Sequence, residues 1–141
     1  MALSSSLLTF LPQSDGYLPY FLLFLSTFAV IHTAVCYTSP PEVSMKQFSG
    51  PERPPPNALL AHVYGVKNVY TALIRGYAAY HMSNPQLYSL GMASFAGVIF
   101  LNGTELLVYR TARPKESAPT LIMSGSALLW MALQRQYYTG L

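Results

Sequence analysis

The stretch that decides the fold runs from Leu59 to Tyr109 and reads LLAHVYGVKNVYTALIRGYAAYHMSNPQLYSLGMASFAGVIFLNGTELLVY. It contains two apolar segments, each long enough for a membrane-spanning helix, and they carry Lys67, Arg75 and Glu105. A charge at the centre of a bilayer costs roughly 2.5–3.5 kcal/mol on insertion scales, so such residues face a bundle interior, a partner helix or a cavity. We therefore expect the site or interface residues to lie in this helix pair.

The composition is that of a membrane protein. The chain has 141 residues, of which 52% are hydrophobic and 9% charged, whereas roughly 25% of the residues in a soluble domain are charged. Four apolar segments of spanning length occupy 18–37, 59–81, 86–109 and 119–137. We predict an all-α integral membrane protein, with four transmembrane helices in one compact bundle over residues 1–141. The net charge of +3 does not indicate nucleic-acid binding, because the basic residues form no run.

Three connectors join these segments. The first, residues 39–57, contains six prolines, which deny the backbone the amide donors that a helix or central strand needs. It should be partly extended on the solvent side and ordered by a partner. The second is the turn Met82–Pro85, where Asn-Pro favours a turn and makes the flanking helices antiparallel neighbours. The third, residues 110–117, reads as a polar loop.

The basic residues predict the orientation in the membrane, because the cytosolic side of a membrane protein retains Lys and Arg. Arg135 alone falls on the face that holds both termini and the short turn. The opposite face, with the two longer connectors, holds Lys46, Arg53, Arg110, Arg113 and Lys115. We therefore expect both termini to be lumenal.

Polar residues recur at helical spacing in both central segments, so each segment has one polar or small-residue face. On the second segment this face comprises Tyr64, Lys67, Asn68, Thr71 and Arg75. On the third it comprises Gly91, Ser94, Val98, Asn102, Glu105 and Tyr109. The two faces can pack against each other, as small and polar residues commonly do between membrane helices.

Antiparallel packing around the turn predicts which of these residues meet. It sets Glu105 level with His62, with Lys67 roughly 7 Å away along the axis. A Glu105–Lys67 or Glu105–His62 pair is therefore expected, while Arg75 falls beside Gly91, whose missing side chain leaves room for a guanidinium. These residues either lock the bundle or a dimer, which we favour, or contact a substrate.

The sequence offers little for catalysis or for metal binding. The chain has three histidines and one cysteine, and His32 and His81 have no partner at metal-ligand spacing. No glycine-rich phosphate loop, GxSxG turn or Cys-His pair is present. Residue chemistry therefore predicts a non-enzymatic membrane protein with no metal and no cofactor.

Four segments of the chain match short motifs of a known protein family. They are Gly16-Tyr17-Leu18-Pro19, Ala72-Leu73-Ile74-Arg75, Gly103-Thr104-Glu105-Leu106-Leu107-Val108-Tyr109-Arg110-Thr111, and Leu129-Trp130-Met131 through Gln134-Arg135-Gln136-Tyr137-Tyr138-Thr139-Gly140. Together they resemble the ergosterol biosynthetic protein 28 family over nearly the whole chain. Arg75 and Glu105 match family positions, whereas His62 stands where the family tends to have Arg, which favours Lys67 as the partner of Glu105.

This resemblance implies a scaffold of the endoplasmic reticulum membrane that has no known catalytic activity. The implied partners are the sterol C-4 methyl oxidase, the sterol C-3 dehydrogenase/C-4 decarboxylase and the 3-keto-sterol reductase. A sterol C-24 methyltransferase, a second copy of the chain in a homodimer, and membrane lipid or sterol are further implied partners.

Two other functions remain open on the residues alone. In the first, the chain is a small sterol-binding membrane enzyme or carrier that uses Glu105, Lys67 and Arg75, with Glu105 transferring a proton. In the second, it is an ion or proton carrier with a water-lined path through Lys67, Asn68 and Asn102. Turnover by the purified protein alone would favour the first, and the second would need an oligomer.

Overall fold

The computed structural model describes residues 6–141, and this part of the chain consists of helices and loops with no β-strand. Its four long helices are α1 (Leu18–Thr38), α2 (Ala58–Tyr80), α3 (Pro85–Leu107) and α4 (Pro114–Thr139). The all-helical prediction is therefore confirmed. Each predicted apolar segment falls wholly or largely within one of these helices.

Two of the helices are apolar enough to cross a membrane. The most apolar stretches of α1 and α3 have mean hydropathies of 1.8 and 1.4, and the two helices are 21 and 23 residues long. Among the described residues, α2 and α4 fall short by this measure, because Lys67, Asn68 and Arg75 interrupt α2 and serines and a glycine interrupt α4. Length and composition thus identify two candidate membrane-spanning helices.

Local signals fix where two of the helices begin. The Asn57 side chain accepts a hydrogen bond from Leu60 N and caps α2. The Asn84 side chain caps α3 by accepting from the amides of Gln86 and Leu87, and Pro85 is its first residue. Asparagine is a strong N-cap because its side-chain oxygen replaces a missing backbone acceptor. The Asn-Pro turn therefore forms where the sequence predicted it.

The start of α4 differs from the sequence expectation. Residues 110–117 read as a polar loop, but α4 already begins at Pro114 and continues through Pro119. A proline at the first helical position loses nothing, because the amides of the first turn have no acceptor within the helix. Pro119 lies in the second turn, where its ring removes one backbone hydrogen bond without ending the helix.

The helices pack mainly in two pairs, α1 with α2 and α3 with α4. In the first pair, Thr33 Oγ1 donates to Gly65 O at 2.9 Å. In the second, Tyr88 Oη donates to Met131 O at 2.7 Å. The predicted antiparallel neighbours, α2 and α3, share a smaller interface.

The two ends of the bundle are built differently. We call the end that carries the Met82–Pro85 turn the turn end. Here the N-terminal segment is tied to the helices, with Tyr80 Oη donating to Phe10 O and Tyr138 Oη donating to Asp15 O. A buried apolar cluster lies at this end and comprises Leu18, Leu22, Leu25, Ala78, Ala79, Met82, Tyr88, Phe95, Ala127 and Met131. Residues 1–5, part of the terminus predicted to be lumenal, lie outside the described residues.

At the opposite end, the loop end, the two longer connectors bind each other. Residues 41–48 form a one-turn helix (Pro41–Ser44) and a 3₁₀ turn (Lys46–Phe48). Backbone hydrogen bonds then join Gly50 N to Thr111 O at 2.8 Å, and Glu52 N to Arg110 O at 3.1 Å. Arg113 N also donates to Gln47 O at 3.0 Å. We call this contact between residues 47–52 and 110–113 the loop junction.

The loop junction is a contact that local sequence patterns do not predict. Its hydrogen bonds hold residues 47–52 of the connector against residues 110–113, while the side chains of residues 51–55 are exposed. Gly50 makes the contact possible, because a Cβ there would lie 2.5 Å from Arg110 O and 2.7 Å from Ala112 O. No side chain fits between these two backbones.

Candidate functional site

A groove of about 360 Å³ lies in the bundle, between α1, α2 and α4. We call it the polar groove. It is lined by Leu25, Phe28, Ala29, His32, Gln47, Tyr64, Lys67, Asn68, Thr71, Arg75, Val98, Pro119, Thr120, Met123 and Ser124. Its volume falls in the lower part of the range usual for small-molecule sites, roughly 300–1,000 Å³. It is therefore the candidate site.

The polar face predicted on the second segment lines this groove in full. Tyr64, Lys67, Asn68, Thr71 and Arg75 all belong to α2 and all contribute to its wall. Their spacing of three and four residues puts them on one side of the helix, as expected for a period of 3.6. Helical periodicity alone thus placed five side chains in one cavity.

Lys67 lies half-buried in the groove wall. Its Nζ sits over the Tyr64 ring, 4.1 Å from the ring centre. Such a cation–π contact contributes roughly 0.5–2 kcal/mol but leaves the positive charge in place. Tyr64 is itself held from the connector, because Gln47 Nε2 donates to Tyr64 Oη at 2.9 Å. The loop end therefore helps to position the tyrosine ring that contacts Lys67.

Arg75 is the most deeply buried cation of the groove, with 7% of its surface exposed. Its Nε donates to Ser94 Oγ at 3.0 Å, and its guanidinium carbon lies 3.9 Å from the centre of the Phe95 ring. Both partners belong to α3, so Arg75 connects the two helix pairs. All of these partners are neutral, so none of them supplies a counter-charge for the guanidinium.

His32 and Asn68 form a polar contact that sequence reasoning missed. Asn68 Nδ2 lies 2.8 Å from His32 Nδ1, and His32 Nε2 lies 2.9 Å from Ser44 O. Because a carbonyl can only accept, Nε2 carries the ring proton and Nδ1 accepts from Asn68. This arrangement suits a neutral imidazole. The two residues are 36 positions apart, and no local pattern indicates their meeting.

The residues predicted on the third segment are dispersed. Gly91 lies in the packing between helices, where an added Cβ would be 3.3 Å from Ala78 Cβ and 3.2 Å from Met131 Cε. Ser94 accepts the hydrogen bond from Arg75. None of the predicted residues of α3 lines the polar groove except Val98. The two polar faces therefore do not form one continuous interface.

The remaining residues of this face lie near the loop end. Asn102 is fully buried and donates to Val98 O at 2.9 Å, while its Oδ1 has no hydrogen-bond partner among residues 6–141. Tyr109 is 61% exposed. Asn102 therefore acts within its own helix, and Tyr109 faces outward.

The expected ion pairs of Glu105 are not formed. Its carboxylate accepts a hydrogen bond from the Thr111 hydroxyl, and its carbonyl accepts from the amides of Thr111 and Ala112. His62 instead stacks on Tyr37, with ring centres 4.4 Å apart. The expectation assumed that α2 and α3 stay in contact along their length, whereas Arg75 meets Ser94, and Ala78 meets Gly91, in the half nearest the turn. Glu105 closes the corner between α3 and α4.

The polar groove carries two cations and no acid. None of the residues that line it is Asp or Glu. Of the five acidic residues, Asp15 lies near the turn end and the others lie at the loop end. Glu42 and Glu52 are exposed, and Glu116 pairs with Arg113 at 3.9 Å. In the described part of the chain, no three His, Cys, Asp or Glu side chains are grouped to hold a metal ion.

The loop end also carries most of the exposed Lys and Arg side chains, beside the exposed acids Glu42 and Glu52. Its five cations are all exposed, while Arg135 is the cation at the turn end. The five are Lys46, Arg53, Arg110, Arg113 and Lys115. The loop junction brings cations from two distant parts of the sequence onto one surface.

Comparison with known proteins places the chain in a family. Residues 18–129 match the model of the family described as Erg28 like protein. Ergosterol biosynthetic protein 28 of Saccharomyces cerevisiae is 34% identical over 135 residues, which cover 94% of this chain and 89% of that protein. The protein of the same name from Candida albicans is 31% identical over 130 residues, covering 91% and 93%. No solved structure matches significantly. The chain therefore belongs to the Erg28-like protein family.

Proposed function

We propose that this chain is a non-catalytic, four-span scaffold of the endoplasmic reticulum membrane that holds sterol C-4 demethylation enzymes together. Family membership carries the proposal, because the relatives are named as ergosterol biosynthetic proteins. The partners are the sterol C-4 methyl oxidase, the sterol C-3 dehydrogenase/C-4 decarboxylase and the 3-keto-sterol reductase. A sterol C-24 methyltransferase is a further partner, and the chain pairs with itself as a homodimer in one four-helix domain.

The distribution of side chains on α2 supports a membrane position for this helix. Asn68, Thr71 and Arg75 are buried, whereas Val63 and Leu73 are 58% and 51% exposed. A helix of a soluble protein would show the reverse arrangement, with its apolar side chains toward the core. In a bilayer the polar side chains belong inside the bundle and the apolar ones toward lipid. The low hydropathy of α2 thus reflects its inner face.

The last helix has the same arrangement. Ser117 and Ser124 are buried on α4, whereas Leu129 and Leu133 are 61% and 76% exposed. With 23 and 26 residues, α2 and α4 are roughly 35 and 39 Å long, enough for a hydrocarbon core about 30 Å thick. These features support four spans.

The exposed cations support a cytosolic loop end and lumenal termini, because short cytosolic loops retain Lys and Arg. The same surface is the proposed contact for the enzymes. Residues 51–55 of the connector are exposed and contain Pro51, Pro54 and Pro55, which limit the conformational freedom lost on binding. The surface is thus charged, partly rigid and open to a partner.

Tethering has a plain physical benefit for a pathway with apolar intermediates. Such intermediates stay in the membrane, and enzymes held on one scaffold meet each other at an effective concentration far above that of freely diffusing proteins. The scaffold needs no reactive group for this role. Its contribution is the geometry of its contacts.

The alternative of a sterol-transforming enzyme relies on Glu105 as the group that transfers the proton. That reading needs Glu105 beside the groove, together with Lys67 and Arg75. Glu105 instead binds Thr111 and is absent from the groove wall. The alternative is therefore less well supported than the scaffold in the form that uses Glu105.

Affinity capture from native membranes tests this proposal. The tagged full-length chain should recover the C-4 demethylation enzymes, and the double variant Lys46→Gln/Arg53→Gln should recover less of them. Arg135→Gln is the matched control, because it removes a cation at the turn end. Recovery of only copies of the chain itself, or turnover of a C-4 methyl sterol by the purified protein, would overturn the proposal.

A further inference from the structure

The polar groove holds two cations and no acid, and the proposed scaffold function does not explain this imbalance. Lys67 and Arg75 both line it, two helical turns apart on α2 and thus roughly 12 Å apart along the axis. Their contacts are with aromatic rings and with Ser94, all of them neutral. His32 adds no charge in the tautomer that its two partners favour. The groove is therefore a site with two positive charges.

Such an imbalance is expensive inside a membrane bundle. A partly buried cation without a counter-charge is unfavourable, and the cation–π contacts offset only part of that cost. In the described part of the chain, no carboxylate lies within ion-pair distance of Lys67 or Arg75. An anion in the groove would provide the missing charge and accept hydrogen bonds from the cation nearest to it.

The walls of the groove indicate which kind of molecule bears this anionic group. Leu25, Phe28 and Met123 line it beside the cations, and the cavity opens to the outside, with Phe28 55% exposed. A free inorganic ion would leave these apolar side chains without a partner, whereas an amphiphile covers them. An amphiphile reaches the site from within the bilayer, with its apolar body in lipid and its headgroup in the groove.

We propose that the polar groove binds an anionic amphiphile, whose carboxylate or phosphate lies beside Lys67 and whose apolar body lies along Leu25, Phe28 and Met123. The ligand class is a membrane-soluble acid with one compact headgroup. Asn68 and Thr71 supply neutral polar groups on the same wall. This site is independent of enzyme tethering, although it relies on the membrane position proposed for α2.

Native mass spectrometry of the full-length protein in neutral detergent tests the proposal with matched probes. Oleate is compared with oleyl alcohol, and dioleoylphosphatidate with dioleoylglycerol, so that each acid has a neutral counterpart. The protein should bind at least one of the acids more tightly than its counterpart. Selective oleate binding assigns a carboxylate ligand, and selective phosphatidate binding assigns a phospholipid.

Variants connect the binding to the groove. Lys67→Met keeps the apolar stem and should weaken binding of the acid by about tenfold, as expected for loss of a hydrogen bond to a charged group. Lys67→Arg should retain binding. Lys115→Met is the matched control, because Lys115 is an exposed cation outside the groove and its loss should change nothing.

Three results would overturn the proposal. The first is equal binding of each acid and its neutral counterpart. The second is unchanged acid binding by Lys67→Met, or an equal loss in Lys115→Met. The third is loss of a co-purifying protein in Lys67→Met while acid binding persists, which would assign the groove to an acidic segment of that protein. Enzyme recovery in the capture experiment is a separate readout, so either proposal can fail alone.

Discussion

The turn end and the loop end of the bundle contrast in how their interiors are filled. At the turn end, Leu18, Leu22, Ala78 and Met131 are fully buried and pack against one another. At the loop end, four buried polar atoms have no hydrogen-bond partner among the described residues: Ser44 Oγ, Asn102 Oδ1, Glu116 Oε2 and Ser117 Oγ. Unsatisfied buried polar groups cost roughly 1–3 kcal/mol each. The comparison indicates that the turn end contributes more packing stability than the loop end.

The largest effect on stability should come from the turn end. Leu22→Ala removes a fully buried side chain from the apolar cluster and should lower the free energy of unfolding by about 2–5 kcal/mol. Thermal unfolding of the detergent-solubilised protein measures this. Leu129→Ala is the matched control, because Leu129 is 61% exposed. Equal losses in both variants would contradict the contrast between the two ends.

A smaller and local effect is expected at the loop junction. Gly50→Ala places a Cβ against the backbone of Arg110 and Ala112, so the backbone hydrogen bonds of the junction should break at a cost of roughly 1–3 kcal/mol. Trypsin should then cleave after Lys46 faster than in the unchanged protein. In Gly97→Ala, the added methyl meets no atom within 4 Å, and cleavage should be unchanged. If trypsin cleaves both variants as slowly as the unchanged protein, the hydrogen bonds of the junction are not what holds the connector.

The smallest effect should come from the strained residue of the same junction. Arg110 has φ of 58°, a left-handed conformation that costs a residue with a side chain roughly 1–2 kcal/mol. Arg110→Gly relieves this strain but adds freedom to the unfolded chain, so we expect a net gain of about 0.5 kcal/mol in thermal unfolding. Arg113→Gly, at an ordinary negative φ, should give no gain. A loss in Arg110→Gly beyond that of Arg113→Gly would contradict the strain.

The features that the sequence predicted correctly are those set by residues close to one another along the chain. The apolar segments, the Asn84-Pro85 turn and the polar face of α2 all follow from spacing and capping, which act within a few residues. The start of α4 was missed because residues 110–117 are polar and charged and read as a loop, although Pro114 can occupy the first position of a helix.

The sequence could not predict contacts between distant segments. The meeting of His32 with Asn68, and of Gly50 with Thr111, depends on how the helix pairs pack. Glu105 was assigned to Lys67 by assuming that α2 and α3 remain level neighbours from the turn onward. Their smaller interface moves Glu105 out of reach, and a threonine six residues away becomes its partner.

The most direct test of the central claim is whether the loop end holds the sterol enzymes. Quantitative affinity capture from native membranes should compare Gly50→Ala with Gly97→Ala at matched abundance of the tagged chain. Our account predicts that Gly50→Ala loses most of the C-4 demethylation enzymes while Gly97→Ala recovers them as the unchanged protein does. Full recovery with Gly50→Ala, after proteolysis has verified that its loop junction is open, would contradict the claim.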